Sequence, residues 1–265
     1  MTFVPVTDAD DPRLAPYTAI RERDLTGRPD GRFIVEGKVT LDILVSRSRF
    51  AIESVFIGES RVQPLAEILN QVPEGVPVYV APQHVMDEVA GFPIHRGVLA
   101  CAHKGDPVRT EELLKAETLL VLNGISNHDN VGAAFRNAAA FGAGGVLLDE
   151  RSCDPLYRKS IRVSAGAALW LPFIHDGLGE DHVSMLSEAG FDVWAMTPRD
   201  DAELLHTLVP GRKTAILLGP EGPGLASGLI DSARPVRIAM AGGFDSINVA
   251  TAGAIALAHL HASKV

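Results

Sequence analysis

Three segments in the C-terminal half of the sequence carry side chains that could bind a ligand and act on it. The first contains Asn130 and Arg136, the second has Glu221 within a glycine-rich loop, and the third contains Ser246 and Asn248. Each segment follows a short apolar run that is typical of a β-strand. Because open α/β sheets bind ligands at the carboxyl ends of their strands, we expect the three segments to form one site.

The first segment, 122–149, predicts a helix that begins near Asn130. Val131, Phe135 and Ala138 recur at helical spacing, so they should face the sheet. Arg136 falls off this apolar stripe and is a candidate for contact with a ligand. The alternative is that Asn130 only caps the helix and that Arg136 is a surface charge.

The second segment, 216–225, is an apolar strand followed by a loop with three glycines and two prolines in seven residues. Such a loop presents backbone N–H and C=O groups to a ligand, because few side chains obstruct them. Glu221 lies in the middle of the loop, and the alternative is an ordinary tight turn with an exposed acid. No Lys-Ser/Thr pair follows the glycines, which excludes a nucleoside triphosphate loop of the Walker type.

The third segment, 238–260, runs from a strand through Gly242-Gly243 into a terminal helix. Ser246 and Asn248 stand at the start of this helix, and Ser246 is its expected N-cap. The helix is rich in alanine and also contains glycine. Small residues of this kind let neighbouring backbones pack closely.

The elements that must position these segments alternate between strand and helix, which favours a parallel sheet covered on both faces. The strands are expected at 118–123, 145–149, 191–196, 214–219 and 235–240, and the helices at roughly 129–141, 155–163, 180–189, 201–208, 224–232 and 246–262. The sequence thus predicts an α/β fold for residues 115–265.

The N-terminal part of the chain predicts a smaller α/β domain over residues 1–106. Residues 32–47 fit either an amphipathic helix or a strand that runs into a helix, and residues 1–30 look irregular. Further strands are expected at 54–58, 77–81 and 97–103, and helical spacing occurs at 63–72 and 82–91. The boundary is placed in the polar segment 105–117, which contains a Gly-Asp-Pro breaker.

Composition excludes several classes of protein. The 265 residues are 46% hydrophobic and 22% charged, which is ordinary for a globular protein. No apolar run approaches the roughly 18 residues of a membrane-spanning helix, and the acidic start is unlike a secretory signal. Two cysteines give no disulfide framework, so a reducing cytoplasm is expected. His259 and His261 cannot share a helix face, and no metal site is predicted.

The net charge of −9 counts against nucleic-acid binding by overall charge. Residues 13–49 are an exception, because they carry eight basic and five acidic residues. Any RNA-binding surface should involve this stretch; the alternative is a solvated, arginine-rich surface. The candidates for RNA binding are Arg21, Arg23, Arg32, Lys38, Arg47 and Arg49.

The three segments resemble, in the same order, the signature motifs of the SpoU (TrmH-like) RNA 2′-O-ribose methyltransferase family of the SPOUT superfamily. The pattern N-x-G-x-x-x-R matches 130–136, the glycine–glutamate loop matches 219–225, and Ser-(Leu/Ile)-Asn-Val matches 246–249. The segment VSAGA at 163–167 is also similar. Pro220 and Asn137 depart from the family's usual serine and threonine, and the last motif continues as Ala-Thr rather than Ser-Val.

The resemblance covers residues 115–265 and, less closely, the N-terminal module, which is similar to the family's RNA-recognition domain. It implies an S-adenosylmethionine-dependent RNA methyltransferase whose catalytic domain has a deep trefoil knot. It also implies a homodimer formed through the C-terminal domain, with the active site near the subunit interface. Ribosomal RNA is the expected substrate, with transfer RNA as the alternative, because the extra N-terminal module resembles the ribosomal subgroup.

The resemblance also implies roles for individual residues. The expected catalytic group is Arg136, Asn130, Glu221, Asn248 and Ser246. The expected cofactor-binding residues are Thr197, Leu218, Gly219, Pro220, Gly222, Ile238, Met240, Ile247 and Asn248. A guanidinium does not readily lose a proton, so Arg136 is expected to hold an RNA phosphate or to stabilise a developing alkoxide rather than to act as a base. A catalytically silent RNA-binding relative and a base methyltransferase are the competing hypotheses.

Overall fold

The computed structural model describes residues 2–18, 20, 30–94, 96–242 and 246–264. The chain forms two compact units. The first contains residues 1–106 and 156–170, and the second contains residues 107–155 and 171–265. The expected α/β fold with a parallel sheet is confirmed.

The first unit is built on a five-stranded mixed sheet with the order β1-β4-β3-β5-β2. Its strands are β1 (Thr2–Pro5), β2 (Arg32–Glu36), β3 (Ala51–Gly58), β4 (Pro77–Ala81) and β5 (Val98–His103). Strands β1, β4 and β3 run parallel, whereas β5 runs antiparallel to both β3 and β2. The prediction missed β1, because this edge strand has three exposed residues out of four and carries no continuous apolar signal.

Helices of the first unit lie at α1 (Lys38–Ser46), α2 (Ala66–Leu69), α3 (Gln83–Ala90) and α6 (Arg158–Val163). Residues 32–47 form a strand that runs into a helix, which is the second of the two predicted alternatives. Gly37 makes this change of direction possible, because its φ of 105° is a backbone conformation that other residues rarely adopt.

Residues 156–170 were predicted as part of the C-terminal domain, and this assignment is wrong. They pack on the first unit, where Gly166 approaches Ile43 of α1. The Ser48 hydroxyl donates to the Leu169 carbonyl at 3.1 Å, and the Arg158 guanidinium pairs with the buried Glu36 carboxylate. These contacts join positions more than a hundred residues apart, so local periodicity could not reveal them.

The second unit is built on a seven-stranded sheet with the order β10-β12-β9-β11-β6-β7-β8. The strands are β6 (Thr118–Leu122), β7 (Gly145–Leu148), β8 (Phe173–His175), β9 (Asp192–Met196), β10 (Glu203–Leu204), β11 (Thr214–Leu218) and β12 (Arg234–Arg237). All six neighbouring pairs are parallel. The central strands β6 and β11 are buried along their whole length, as expected for a sheet covered on both faces.

Helices of the second unit lie at α4 (Thr110–Leu113), α5 (His128–Ala140), α7 (Gly179–Glu188), α8 (Ser227–Asp231) and α9 (Val249–Ala262). Val131, Phe135 and Ala138 of α5 are fully buried, as their spacing predicted. No helix among the described residues is long and apolar enough to cross a membrane.

Two predictions about this unit were wrong. Residues 201–208 form the short strand β10 and a 3-10 turn instead of a helix, because the segment is short and pairing with β12 outweighs its weak helical preference. The strand expected at 235–240 ends at Arg237, so Ile238 and Met240 lie in a loop. Strand β8 was not predicted, since three residues give too short a signal.

Candidate functional site

A cavity of about 340 Å³ lies at the carboxyl ends of three neighbouring strands, β12, β9 and β11. The loops after these strands and the start of α9 form its walls. The lining residues are Met196, Thr197, Pro198, Leu218, Gly219, Pro220, Glu221, Gly222, Gly224, Leu225, Ile238, Met240, Ser246, Ile247, Asn248, Val249 and Ala252. The three segments singled out in the sequence therefore do not contribute equally, because only the second and third line the cavity.

The loop after β11 brings bare backbone to the cavity. Gly222 and Gly224 have φ values of 89° and 69°, which favour glycine, and a Cβ atom at either position would meet nothing within 4 Å. Gly219 is needed for a different reason, because a Cβ atom there would lie 2.6 Å from the backbone nitrogen of Leu225. The loop thus turns tightly at its base and exposes its backbone at Gly222 and Gly224.

Asn248 connects the loop after β11 to two helices. Its Oδ1 atom accepts hydrogen bonds from the backbone of Ala250 at 3.0 Å and Thr251 at 3.2 Å, so Asn248 is the N-cap of α9. The expected N-cap, Ser246, does not fill this role. The Nδ2 atom of Asn248 donates to Asn130 Oδ1 at 2.8 Å and to Glu221 Oε1 at 3.1 Å.

Asn130 is buried in the first turn of α5, and it does not cap that helix. The N-cap is Asn127, whose side chain accepts from the Asp129 backbone at 2.8 Å. The Asn130 side chain instead accepts the hydrogen bond from Asn248, which lies 118 positions away in the sequence. The capping alternative for Asn130 is therefore wrong.

The loop before α5 is held by a buried carboxylate. Asp149 is 1% exposed and accepts hydrogen bonds from the Gly124 backbone at 2.8 Å and from the Asn123 amide at 3.0 Å. The Ser152 hydroxyl donates to the same carboxylate at 2.6 Å. A Cβ atom at Gly124 would lie 3.6 Å from Pro220, so this loop packs against the wall of the cavity.

The cavity has little charge. Among its described lining residues, Glu221 is the one with an acidic or basic side chain, and it is exposed. Most of the remaining wall is apolar, with hydroxyl and amide groups from Thr197, Ser246 and Asn248. Such a wall can surround a small organic ligand, and its single negative charge suits a neutral or cationic ligand better than a phosphate-rich one.

The predicted site residues fall into three groups. All nine residues expected to bind the cofactor line this cavity, and so do Glu221 and Ser246. Asn130 lies one hydrogen bond behind the cavity wall, through Asn248. Arg136 is exposed on α5 and is not among the lining residues.

Arg136 and Asn137 point to different surroundings. The Asn137 amide donates to the Ala250 carbonyl at 2.9 Å, so this side of α5 packs against α9. Arg136, one position earlier on the helix, is open to solvent. The prediction that Arg136 faces the crevice formed by 218–222 and 238–248 is therefore not met within the single chain.

The predicted RNA-binding residues also divide. Arg21 and Arg23 lie outside the described residues. Arg32 is engaged in ion pairs with Glu53 at 2.6 Å and Asp30 at 2.9 Å, and these two carboxylates raise the pKa of its guanidinium. The other three candidates, Lys38, Arg47 and Arg49, are exposed.

Several lining residues were not predicted. Met196 and Pro198 flank Thr197 at the end of β9, and they could have been found by applying the strand-end rule to this strand as well. Leu225, Val249 and Ala252 line the cavity from the start of the following elements. No residue type marks these three positions, since alanine, valine and leucine are also ordinary core residues.

Comparisons with known proteins agree with this geometry. Residues 117–258 match the model of the SpoU rRNA Methylase family. An uncharacterised tRNA/rRNA methyltransferase of Mycobacterium bovis is 38% identical over 261 residues, which cover 95% of this chain and 89% of the relative. The 23S rRNA (guanosine-2′-O-)-methyltransferase RlmB of Escherichia coli is 27% identical, over 84% of this chain and 96% of the relative.

A solved structure has the same fold. The AdoMet-bound rRNA methyltransferase of Sinorhizobium meliloti superposes with a TM-score of 0.78 at 23% identity, and the match covers 99% of each chain. The family match spans more than half of the chain and includes every residue that lines the cavity. The chain belongs to the SpoU rRNA methylase family.

Proposed function

We propose that this protein transfers a methyl group from S-adenosylmethionine to a ribose 2′-hydroxyl of ribosomal RNA. The observation that carries the proposal is the cavity at the ends of β9, β11 and β12, whose wall contains all nine residues expected to bind the cofactor. Support for ribose as the acceptor comes from the relative RlmB, a 2′-O-methyltransferase at 27% identity. Transfer RNA remains the alternative substrate.

The cavity fits S-adenosylmethionine in size and charge. Its volume of about 340 Å³ lies within the range of small-molecule sites, which is ~300–1,000 Å³. No lysine or arginine is among its described lining residues, whereas a nucleoside triphosphate would need cations around its phosphates. When bound, S-adenosylmethionine supplies an electrophilic methyl group on a positively charged sulfur.

The residues of the chain have separate tasks in this proposal. Leu218, Ile238 and Met240 provide apolar wall, and the backbone around Gly219 and Gly222 provides hydrogen-bonding groups. Asn248 holds Glu221 in place, so the tip of the loop after β11 keeps one position relative to α9. Thr197 and Ser246 add hydroxyl groups to the wall.

Arg136 acts on the acceptor side. Its guanidinium keeps its proton, so it holds an RNA phosphate or stabilises the developing alkoxide. Positioned charge of this kind lowers a barrier by ~3–4 kcal/mol. Because Arg136 does not line the cavity of its own chain, the proposal requires a second copy to bring its Arg136 to this cavity, in a homodimer formed through the C-terminal unit.

Two structural expectations accompany the proposal. We infer a deep trefoil knot within residues 115–265, and the likeness to the fold of the Sinorhizobium meliloti structure supports it. We also infer that residues 1–106 contribute RNA contacts, supported by the exposed cations Lys38, Arg47 and Arg49. A cytoplasmic location and the absence of a metal stay predictions.

The test is methylation of RNA extracted from cells that lack this protein. The full-length protein is incubated with that RNA and S-adenosylmethionine labelled in its methyl group, and digested nucleosides are analysed by mass spectrometry. A labelled ribose 2′-O-methyl nucleoside supports the proposal, and separating ribosomal from transfer RNA identifies the substrate. A methylated base would overturn the ribose assignment. Cofactor and RNA binding without transfer would indicate a silent relative.

A further inference from the structure

We infer that the surface formed by α1 and residues 156–170 holds an unpaired RNA nucleotide, with its base stacked on the Arg47–Trp170 pair. This inference deepens the proposed function, because it rests on RNA being the substrate and names a site that recognises single-stranded RNA. It also assigns a binding role to Trp170, which the sequence did not suggest.

The Arg47–Trp170 pair is a stack between two chain segments that are hydrogen-bonded to each other. The guanidinium carbon of Arg47 lies 3.4 Å from the centre of the Trp170 ring. Just beyond Arg47, the Ser48 hydroxyl and the Arg49 backbone nitrogen both donate to the Leu169 carbonyl, at 3.1 and 3.3 Å. The two chain segments are therefore tied together directly beside the stack.

The stack presents a flat group to solvent. Arg47 is exposed, whereas Trp170 is half-buried beneath it. Unpaired RNA bases stack on aromatic rings and on arginine guanidinium planes. A guanidinium held 3.4 Å from the centre of an indole ring has lost much of its rotational freedom, so a base that stacks on its outer face loses less entropy on binding.

The surroundings of the stack suit a polyanion. Arg49, two positions after Arg47, lies over the Phe50 ring at 4.4 Å. Lys38 at the opposite end of α1 and Arg162 on α6 are further exposed cations of this unit. Glu36, at the end of β2, is paired with Arg158, and Arg162 Nη1 also lies 3.7 Å from its carboxylate. The half-buried Asp42 is the remaining acid described on α1. This local excess of positive charge contrasts with the net charge of −9.

The competing explanation is that Arg47 and Trp170 only fasten residues 156–170 to α1. A purely structural contact between the two segments does not need an exposed guanidinium face. It predicts no change in Trp170 fluorescence when RNA binds. Base stacking predicts quenching of indole fluorescence and a preference for unpaired RNA. The two explanations therefore differ in the fluorescence of Trp170 on RNA binding, which measurements of stability do not report.

The chain offers a direct spectroscopic readout, because it has two tryptophans and Trp194 is fully buried. In a Trp194→Phe variant, Trp170 is the only tryptophan. We expect a 12-nucleotide oligouridine to quench its fluorescence saturably, and a fully paired RNA duplex of equal charge to quench it much less. If Trp194→Phe fails to fold, the quenching that is present in the unmodified protein and lost in Trp170→Leu gives the same assignment.

Affinity for oligouridine, measured by fluorescence anisotropy of a labelled strand, completes the test. We expect Trp170→Leu to weaken binding about tenfold, which lies within the range for loss of one stacked base. Arg47→Lys keeps the charge and loses the plane, so we expect a weakening of several-fold. The matched control is Arg212→Lys, at an exposed position of the second unit, with unchanged affinity. Circular dichroism establishes that each variant is folded.

Unchanged affinity in both folded variants, or RNA binding without quenching, would overturn the inference. Equal affinity for polyglutamate of the same charge would also overturn it, because charge alone would then explain binding. The proposed function is tested separately by calorimetry with S-adenosylmethionine. If S-adenosylmethionine gives no binding heat but RNA still quenches Trp170, methyl transfer is rejected and the stacking site stands. If S-adenosylmethionine binds but RNA does not quench Trp170, only the stacking site is rejected.

Discussion

The Nδ2 atom of Asn248 lies 2.8 Å from Oδ1 of Asn130 and donates a hydrogen bond to it across 118 positions of sequence. The same nitrogen also donates to Glu221 Oε1 at 3.1 Å, and the Oδ1 atom of Asn248 caps α9. One amide therefore fixes the start of α9, the first turn of α5 and the loop after β11 relative to one another. A substitution at Asn248 therefore tests how these three elements are held together at the cavity wall.

Asn248→Asp keeps the oxygen that caps α9 but removes the nitrogen that donates to Asn130 and Glu221. Aspartate caps helices as well as asparagine does, so the cap is kept, and we expect the free energy of unfolding to fall by about 1–2 kcal/mol because the two hydrogen bonds of Nδ2 are lost. A carboxylate at 248 has no N–H to donate and would face the Glu221 carboxylate, which should release the loop and weaken S-adenosylmethionine binding. Urea unfolding and calorimetry measure the two effects.

The comparison variant is Asn248→Ala, which loses the cap and both side-chain hydrogen bonds. We expect it to be less stable than the aspartate variant by about 1 kcal/mol. An aspartate variant that binds S-adenosylmethionine as tightly as the unmodified protein does would show that the connection to Glu221 has no role in the site.

Gly253 of α9 should not tolerate alanine, although alanine is the better helix former by about 1 kcal/mol. A Cβ atom at Gly253 would lie 2.7 Å from Cδ1 of Leu218, so the buried Leu218 side chain, which lines the cavity, would have to shift. We expect Gly253→Ala to lower the free energy of unfolding by about 1–3 kcal/mol and to weaken cofactor binding.

The matched control for this substitution is Gly228→Ala in α8. A Cβ atom at Gly228 would meet nothing within 4 Å, so we expect a gain of a few tenths to about 1 kcal/mol and unchanged cofactor affinity. Urea unfolding of both variants gives the comparison. Equal effects at the two glycines would contradict the close approach of α9 to Leu218.

Arg136→Ala should abolish methyl transfer and leave cofactor binding nearly intact. Arg136 is exposed and is not among the residues that line the cavity, so its removal should cost little stability. Single-turnover transfer of a labelled methyl group and calorimetry with S-adenosylmethionine check the two halves of this prediction. Loss of cofactor affinity would move Arg136 to a different role.

Mixing Arg136→Ala with Asn248→Ala, which lacks the hydrogen bonds to Asn130 and Glu221 and is expected to lose cofactor binding and activity, tests the requirement for a second copy. If Arg136 acts on the partner's cavity, a mixed dimer of Arg136→Ala and Asn248→Ala contains one complete site, and activity should partly return. Activity that never returns, in a mixture shown to exchange subunits, would contradict action across the interface.

The second unit should lose stability on acidification because of His182. This residue is 5% exposed, and its Nδ1 atom has no hydrogen-bond partner among the described residues. Burial lowers the pKa of His182 below its usual 6.5, although the nearby Asp176 and Asp149 oppose the shift. The folded protein therefore binds this proton less readily than the unfolded chain does. Its contribution to stability is complete above pH 6.5 and declines as the pH falls below that value.

Urea unfolding at pH 7.5, 6.5 and 5.5 measures this dependence. We expect His182→Gln to show a smaller fall in stability between pH 6.5 and 5.5 than the unmodified protein. His206→Gln is the control, because His206 is exposed and should leave the pH dependence unchanged. An identical dependence in both variants would exclude His182 as its source.

Much of the cavity could be predicted from the sequence. Apolar runs at 118–123 and 214–219 identify two parallel strands, and loops that follow such strands must meet at one edge of the sheet. The segments 216–225 and 238–260 were therefore placed together without coordinates, and both contribute to one cavity. The individual residues Gly219, Ile238 and Asn248 came from the family resemblance.

The tertiary structure decided which partner each side chain takes. Asn127 caps α5, so the alternative role of Asn130 as its cap is wrong, and Asn248 caps α9 in place of Ser246. Arg32 is engaged by Glu53, and residues 156–170 pack on the first unit rather than the second. Residue type and spacing determine strands, helices and the edge at which loops converge, because these depend on neighbours in sequence. Hydrogen bonds, ion pairs and stacks depend on distances of a few ångströms between remote positions, and only the folded chain sets those distances.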